Sequence, residues 1–292
     1  MKLVRRLGVE RLPLVSKLLL FIGVFPIRHH YHEPRFDYRL LDRPPDDPRQ
    51  LQGIELRYED QTKILNAFRW QEEFLLFCNT ESNCSGFRVD NGMFEGADAA
   101  FYYNLIQLIK PRRIIEIGSG QSTIVAQAAI TANRQEPVGS DCSLLCIEPY
   151  EAPWLEATGA KVMRQRVEAL DPSLFSALQS GDILFIDSSH VIRPQGDVVY
   201  LFLRILPSLA SGVMVHVHDI FTPRDYPAEW LAKRVWLWNE QYLLEGLLSG
   251  GSDWQVLGAL NYLYHDALPD LDKACGSHAS RSQPSSFYIV KK

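Results

Sequence analysis

The sequence predicts an α/β protein: a doubly wound, mostly parallel, seven-stranded Rossmann-like sheet preceded by an N-terminal helical and loop extension. Three observations predict it. From Ile114 onward, short apolar runs alternate with helical stretches, the rhythm of parallel strands joined by helices. The first run feeds a glycine turn, Gly118-Ser119-Gly120, that opens a helix. The chain has 292 residues, 46% hydrophobic and 22% charged, which excludes a largely disordered protein and supplies a core.

Lys2, Arg5 and Arg6 precede an apolar stretch from Leu12 to Ile27 that superficially resembles a secretion signal. Lys17 interrupts it, and no small-residue cleavage pattern follows. The unbroken part, Leu18 to Pro26, is too short to span a bilayer. A helix packed on the protein is expected here, with a helix lying on a membrane surface as the alternative. Residues 28–60 carry Pro34, Pro44, Pro45 and Pro48 and read as loop. His29, His30 and His32 fall in this segment without carboxylate or Cys spacing for a metal, so a polar lead-in is expected. A helix is predicted from Gln61 to Phe77, another from Gly96 to Ile109 ended by Pro111, with loop between them.

Strands are then predicted at Ile114–Ile117, Leu144–Ile147, 161–167, Ile183–Ile186, Val213–Val217, Val256–Leu260 and Phe287–Val290. Helices are predicted over Ser122–Thr131, Asp197–Leu209 and, as one long piece, Ala228–Leu248. Trp236, Trp238 and Tyr242 sit at helical offsets that suit core or interface packing. The loop Phe221–Trp230, stiffened by Pro223 and Pro227, either shapes a pocket or packs Trp230 inward. Ser277–Ser286 reads as a flexible loop. With 30 Lys plus Arg against 35 Asp plus Glu, the net charge of −5 speaks against a nucleic-acid partner. Five cysteines, an odd number in a long chain, speak against a disulfide framework and for a reducing, cytoplasmic setting. Cys142 and Cys146 lack the His pair that a zinc site would want.

Glycines at a strand end let a ligand approach the backbone. A dinucleotide dehydrogenase needs a third glycine, and Thr123 stands there instead. The pattern Glu116-x-Gly118-x-Gly120 resembles motif I of class I S-adenosylmethionine-dependent methyltransferases. The next strand ends at Glu148, and a carboxylate at that place can accept from two vicinal ribose hydroxyls. The resemblance implies S-adenosyl-L-methionine held by Glu116, Gly118, Ser119, Gly120, Ser122, Glu148 and Asp187, with Val167 and Glu168 flanking the adenine.

The fourth and fifth strands end in Asp187-Ser188-Ser189-His190 and His216-Val217-His218-Asp219, at the edge where such sheets bind ligands. Alternation puts His216 and His218 on one side, with His216 deeper and expected in the core. These residues are partly similar to divalent-metal-dependent O-methyltransferases. That likeness implies a metal on Asp187, His218 and Asp219, with His190 as general base beside Asp187. A histidine at 218, where those enzymes carry a carboxylate, departs from an oxygen-only magnesium site. Residues from Phe87 to Trp238 also resemble an uncharacterised bacterial class I methyltransferase family. Its matching pieces include Ile115–Thr123, Phe185–Val191, His218–Phe221, Asp225–Trp230 and Trp238–Tyr242.

The likeness implies residues 1–96 as an extension capping the site and 97–292 as the catalytic domain. The expected reaction is methyl transfer to a small-molecule hydroxyl, sugar-like or of a secondary metabolite. Two other readings stay open: a non-catalytic module that binds an adenosyl ligand, and a metal-dependent oxygenase or hydrolase on the same sheet.

Overall fold

The computed structural model describes all residues except 1–10, 25–26, 28–31, 80–85, 138, 151 and 277–281. The readings placed on Lys2, Arg5, Arg6, His29, His30 and Cys84 lie outside the described residues. The chain divides into two compact units, one of Met1–Asp47 with Pro227–Leu237, the other of Pro48–Tyr226 with Trp238–Lys292.

The smaller unit contains helix α1 (Pro13–Phe21), a 3₁₀ turn at Tyr38–Leu40 capped by Asp37, and a π-helical turn at Trp230–Arg234. Helix α1 forms where the sequence predicts it, but none of its residues is buried, against the packed reading. Trp230 is only half-buried and meets Trp236 edge-on at 4.9 Å.

The larger unit holds the sheet. Helices α2 (Tyr58–Ala67) and α3 (Gln71–Asn79) replace the single helix expected there. The break at Phe68 sends that ring edge-on against Phe101, 5.0 Å away, and the Asn104 side chain accepts from the Trp70 amide. Helix α4 (Gly96–Ile109) is buried through its first twelve residues, as an apolar helix clad on all sides must be. The strands follow as β1 (Arg113–Ile117), β2 (Ser143–Ile147), β3 (Lys161–Met163), β4 (Ile183–Ile186) and β5 (Met214–Val217). Helix α5 (Gln121–Gln135) joins β1 to β2, and α6 (197–208) joins β4 to β5 with a π-helical turn at Leu201–Ile205.

The predicted long helix is not continuous. Its second half is α7 (Glu240–Ser249), separated from the turn at Trp230–Arg234 by non-helical residues that begin with Val235 at φ +54°. Strand β6 (Trp254–Ala259), helices α8 (Leu260–Asp266) and α9 (Leu268–Cys275), and β7 (Phe287–Lys291) complete the unit.

The sheet order is β3-β2-β1-β4-β5-β7-β6, parallel except for β7, which runs antiparallel to both neighbours. One apolar layer packs α4, α5 and the α8–α9 pair on one face, and a second packs α6 and α7 on the other. Register places Ile117 level with Ile147 and Ile186, and Ile186 level with Val217. The residues just beyond those ends therefore share one edge. The Gly118 amide donates to Ile147 O (3.1 Å), the Asp187 amide to Ile117 O (2.8 Å), and the His218 amide to Ile186 O (2.9 Å). The connections run in opposite directions from β1, so this edge is the switch point where ligands bind in such sheets.

Candidate active site

Gly118 and Gly120 differ in kind. Gly118 has φ +73°, and a Cβ there would lie 1.7 Å from the Asp187 carbonyl oxygen. Only glycine lets the end of β1 pass β4 this closely. A Cβ at Gly120 would meet nothing within 4 Å, so the space above the turn is open. Nearby, Gln121 Oε1 and Ser188 Oγ are buried without a hydrogen-bond partner among the described residues.

Glu116 and Ser122 lie beneath that surface rather than on it. Glu116 is fully buried and accepts from Ser122 Oγ and from Thr123 Oγ1 (2.9 Å), with Cys146 Sγ at 3.6 Å. Burial pushes its carboxyl up to about 7 against those hydroxyl bonds. Thr123 Oγ1 also accepts from the Gly120 amide (3.1 Å). Glu116 thus ties the start of α5 to β1 and fixes the turn. Glu148 accepts from the Ser119 amide (3.3 Å) on one oxygen and the Tyr150 amide (2.8 Å) on the other, which orients its carboxylate at the end of β2. Val167 is buried in a 3₁₀ turn after β3, and Glu168 beside it pairs with Arg166 at 3.7 Å.

The second cluster stands at the ends of β4 and β5. His190 and Asp219 both adopt left-handed backbone, φ +59° and +60°. Asp and His are among the few non-glycine residues that take this region readily. The two turns swing the side chains together: His190 Nε2 lies 3.2 Å from Asp187 Oδ1 and 3.6 Å from Asp219 Oδ2. One donor atom each from Asp187, His190 and Asp219 lie within 4.8 Å of one another, a group able to hold a metal ion. Ser285 Oγ donates to Asp219 (3.0 Å).

His190 is held on its far side as well. Its Nδ1 lies 2.9 Å from Glu240 Oε2, and its ring lies against Trp238 with centroids 4.1 Å apart and planes tilted by 35°. Burial opposes a charge on His190. The bonds to Asp187 and Glu240, and the charges of Glu240 and Asp219, nonetheless raise its pKa well above the ordinary value. Burial likewise works against ionised Asp187, but the His190 bond and the charges of His218 and His190 hold its carboxyl below the usual range. The neighbouring carboxylates therefore favour the protonated imidazole, which works against the base role expected of it.

His218, expected among the metal donors, is not part of the three-donor group. Its Nδ1 faces Ser286 Oγ at 3.3 Å, its ring meets Phe94 edge-on at 5.1 Å, and its Nε2 stands 3.8 Å from Asp219 Oδ1. Alternation along β5 sends it towards α4, while the turn at Asp219 brings that carboxylate's other oxygen to His190 (3.6 Å). His216 is fully buried, as expected, and burial keeps it neutral. The segment 282–286, predicted as part of a flexible loop, is ordered at Ser285 and Ser286: both amides donate to buried Asp98 of α4.

Sequence reasoning assigned no role to Glu240 and Asp98, and expected Trp238 in core or interface packing. The available signal was Asn239-Glu240, a cap residue followed by an acid at a helix start. Asn239 Oδ1 accepts from the Ile192 amide (2.6 Å), and the amides of Asn239 and Glu240 donate to His190 O. The start of α7 thus grips the β4 turn on both sides of His190.

Residues 115–220 match the family model of a methyltransferase domain. An uncharacterised protein of Archaeoglobus fulgidus is 28% identical over 192 residues, covering 58% of this chain and 84% of that protein. Among solved structures, an O-methyltransferase from Bacillus cereus in complex with SAH aligns with TM-score 0.42 and 12% identity, over 81% of this chain and 92% of that one. A putative methyltransferase from Thermobifida fusca YX aligns with TM-score 0.35 and 13% identity, over 87% and 99%. The segment matched by the methyltransferase-domain family runs from β1 to the turn after β5, and so contains the glycine turn, Glu148 and the acid–histidine cluster.

Proposed function

We propose that the protein transfers a methyl group from S-adenosyl-L-methionine to a hydroxyl of a small molecule. One observation carries the reading: an open glycine turn beside an oriented, buried carboxylate lies on the same sheet edge as a three-donor acid and histidine cluster. The residues fit the cofactor. Gly120 leaves room for it, Glu148 offers carboxylate acceptors for ribose, and unpartnered Gln121 Oε1 and Ser188 Oγ are buried beside the turn. S-adenosylmethionine supplies an electrophilic methyl carbon when bound.

The donor set also fits a divalent cation. Asp187, His190 and Asp219 would hold it, and two carboxylates with an imidazole suit a transition metal better than magnesium. Such an ion, when bound, supplies Lewis acidity that eases loss of a hydroxyl proton. Glu240 fixes the imidazole by binding Nδ1, so that Nε2 faces the two carboxylates. The protein's own part is to align the acceptor oxygen with the methyl carbon and exclude water.

Calorimetric titration with S-adenosylmethionine and S-adenosylhomocysteine tests the cofactor. Binding is expected, and Glu148→Ala should weaken it by about 1.5–3 kcal/mol, the worth of hydrogen bonds to a charged group. No binding by the folded wild-type chain would overturn the reading. A methyl-transfer screen over hydroxylated acceptors, with chelator and with added metal, tests the chemistry. Asp219→Ala should weaken metal binding, and excess metal should partly restore its rate.

A further inference from the structure

Helix α1 exposes an apolar stripe. Leu14, Leu18 and Phe21 recur at i, i+4 and i+7, so they share one face of the helix. They are 81%, 61% and 88% exposed. Ile22 and Val24 continue the apolar surface beyond the helix end and are also exposed. A nine-residue helix with this composition and no buried residue gains nothing from folding unless something covers it.

The charge around it is equally one-sided. Residues 1–32 hold six Lys or Arg and one Glu, a net charge of +5, whereas the other 260 residues carry −10. Lys17 is exposed on the flank of the stripe, three residues after Leu14 and four before Phe21, and Arg11 is exposed just before the helix. Long cationic side chains at the border of an apolar stripe can lie along it and keep their heads at a phosphate layer. No helix among the described residues is long and apolar enough to cross a membrane.

We propose that this segment is a membrane-surface anchor: α1 lies in the plane of an anionic lipid bilayer, its Leu14–Leu18–Phe21 stripe among the acyl chains and its basic residues at the headgroups. Charge complementarity selects this occupant. An apolar protein groove would match the stripe but not the +5 segment set against an acidic remainder, whereas an anionic bilayer matches both. The proposal does not rest on the reaction assigned above. It places the protein at a lipid surface whatever its acceptor.

Flotation of the full-length chain with vesicles tests it. One set is phosphatidylcholine alone, the other carries roughly one-third phosphatidylglycerol. The chain should float with the anionic vesicles at low ionic strength and be partly released by salt, because screening weakens the headgroup attraction. Leu18→Asp should reduce vesicle partition about tenfold or more by burying a charge among acyl chains. Arg11→Glu with Lys17→Glu should abolish the preference for anionic vesicles. Both substitutions sit on exposed positions, and unchanged thermal unfolding shows that they fold. Failure of the wild-type chain to float, or equal flotation of Leu18→Asp, would overturn the proposal. So would light scattering that shows a dimer lost in Leu18→Asp without flotation, which would assign the stripe to a second copy.

Discussion

At the residue scale, the two glycines of one turn separate folding from binding. A side chain at Gly118 collides with the backbone of Asp187 and must adopt φ +73°. Gly118→Ala should therefore cost about 3 kcal/mol or more of stability, from overpacking and left-handed backbone together. In Gly120→Val the added Cβ meets no atom within 4 Å. This variant should unfold near the wild-type midpoint and lose S-adenosylmethionine affinity. Denaturation beside calorimetry on both variants checks the contrast, and equal stability of the two would refute it. The sequence shows two glycines of equal standing, because the neighbour that distinguishes them, Asp187, lies 69 residues away just past β4. His190 has the same history. Its spacing from Asp187 is legible, whereas Glu240 and Trp238, which hold the ring, come from a helix start across the fold. Glu240→Gln keeps a hydrogen-bond acceptor for Nδ1 and removes the charge. Turnover should fall roughly 10–100-fold with cofactor affinity unchanged, as is usual for the partner behind a functional histidine. His190→Ala is a poorer probe, because it strands the buried Glu240 carboxyl without its partner.

At the element scale, strands were easier to read than helices. Ile183–Ile186 is four fully buried apolar residues between Asp182 and Asp187, a length typical of a buried strand rather than of a helix. From Ala228 to Leu248, apolar residues keep a helical spacing, yet the chain breaks after Arg234 and restarts at Glu240. Tertiary demands override periodicity there: Trp238 packs against His190, and Gln241 holds the loop after β5. Fully buried Gln241 accepts from the Phe221 amide (2.7 Å) and donates to Arg224 O (2.7 Å). Arg49 seals the same loop by pairing with Glu245, whose Oε1 also accepts from Thr222. Gln241→Leu removes both of these bonds from the loop and should cost about 1–3 kcal/mol, although Arg224 O keeps a bond from Arg49 Nη2 (3.2 Å). A lowered denaturant midpoint is expected, with turnover reduced because Asp219 begins that loop. An unchanged midpoint would show that the loop holds itself.

At the scale of the whole molecule, the sheet order β3-β2-β1-β4-β5-β7-β6 gathers the glycine turn, the oriented Glu148 carboxylate and the acid–histidine cluster on one edge. Each strand end was legible by itself. Their common edge followed from the doubly wound expectation, whereas the left-handed turns that bring His190 and Asp219 together have no sequence signal beyond residue type. Glu116 lies at the centre of this arrangement, joined to β2 through Cys146 and to α5 through Ser122 and Thr123, and it links fold stability to pH. Its folded pKa of about 7 exceeds the ordinary carboxyl value of 4.5, chiefly through burial. Below the lower value both folded and unfolded chains hold the proton, and the group costs nothing. Between the two values the folded chain binds more protons, so stability falls as pH rises. Above about 7 the full cost applies, about 3 kcal/mol by linkage. Glu116→Gln removes this titration while retaining an acceptor and packing volume. Relative to wild type, the variant should therefore gain stability steadily from pH 5 to pH 8, by up to about 3 kcal/mol. Denaturant unfolding of both proteins across that range measures the difference directly. A difference independent of pH would mean that Glu116 titrates alike in the folded and unfolded chains, and that its buried bonds compensate the charge completely.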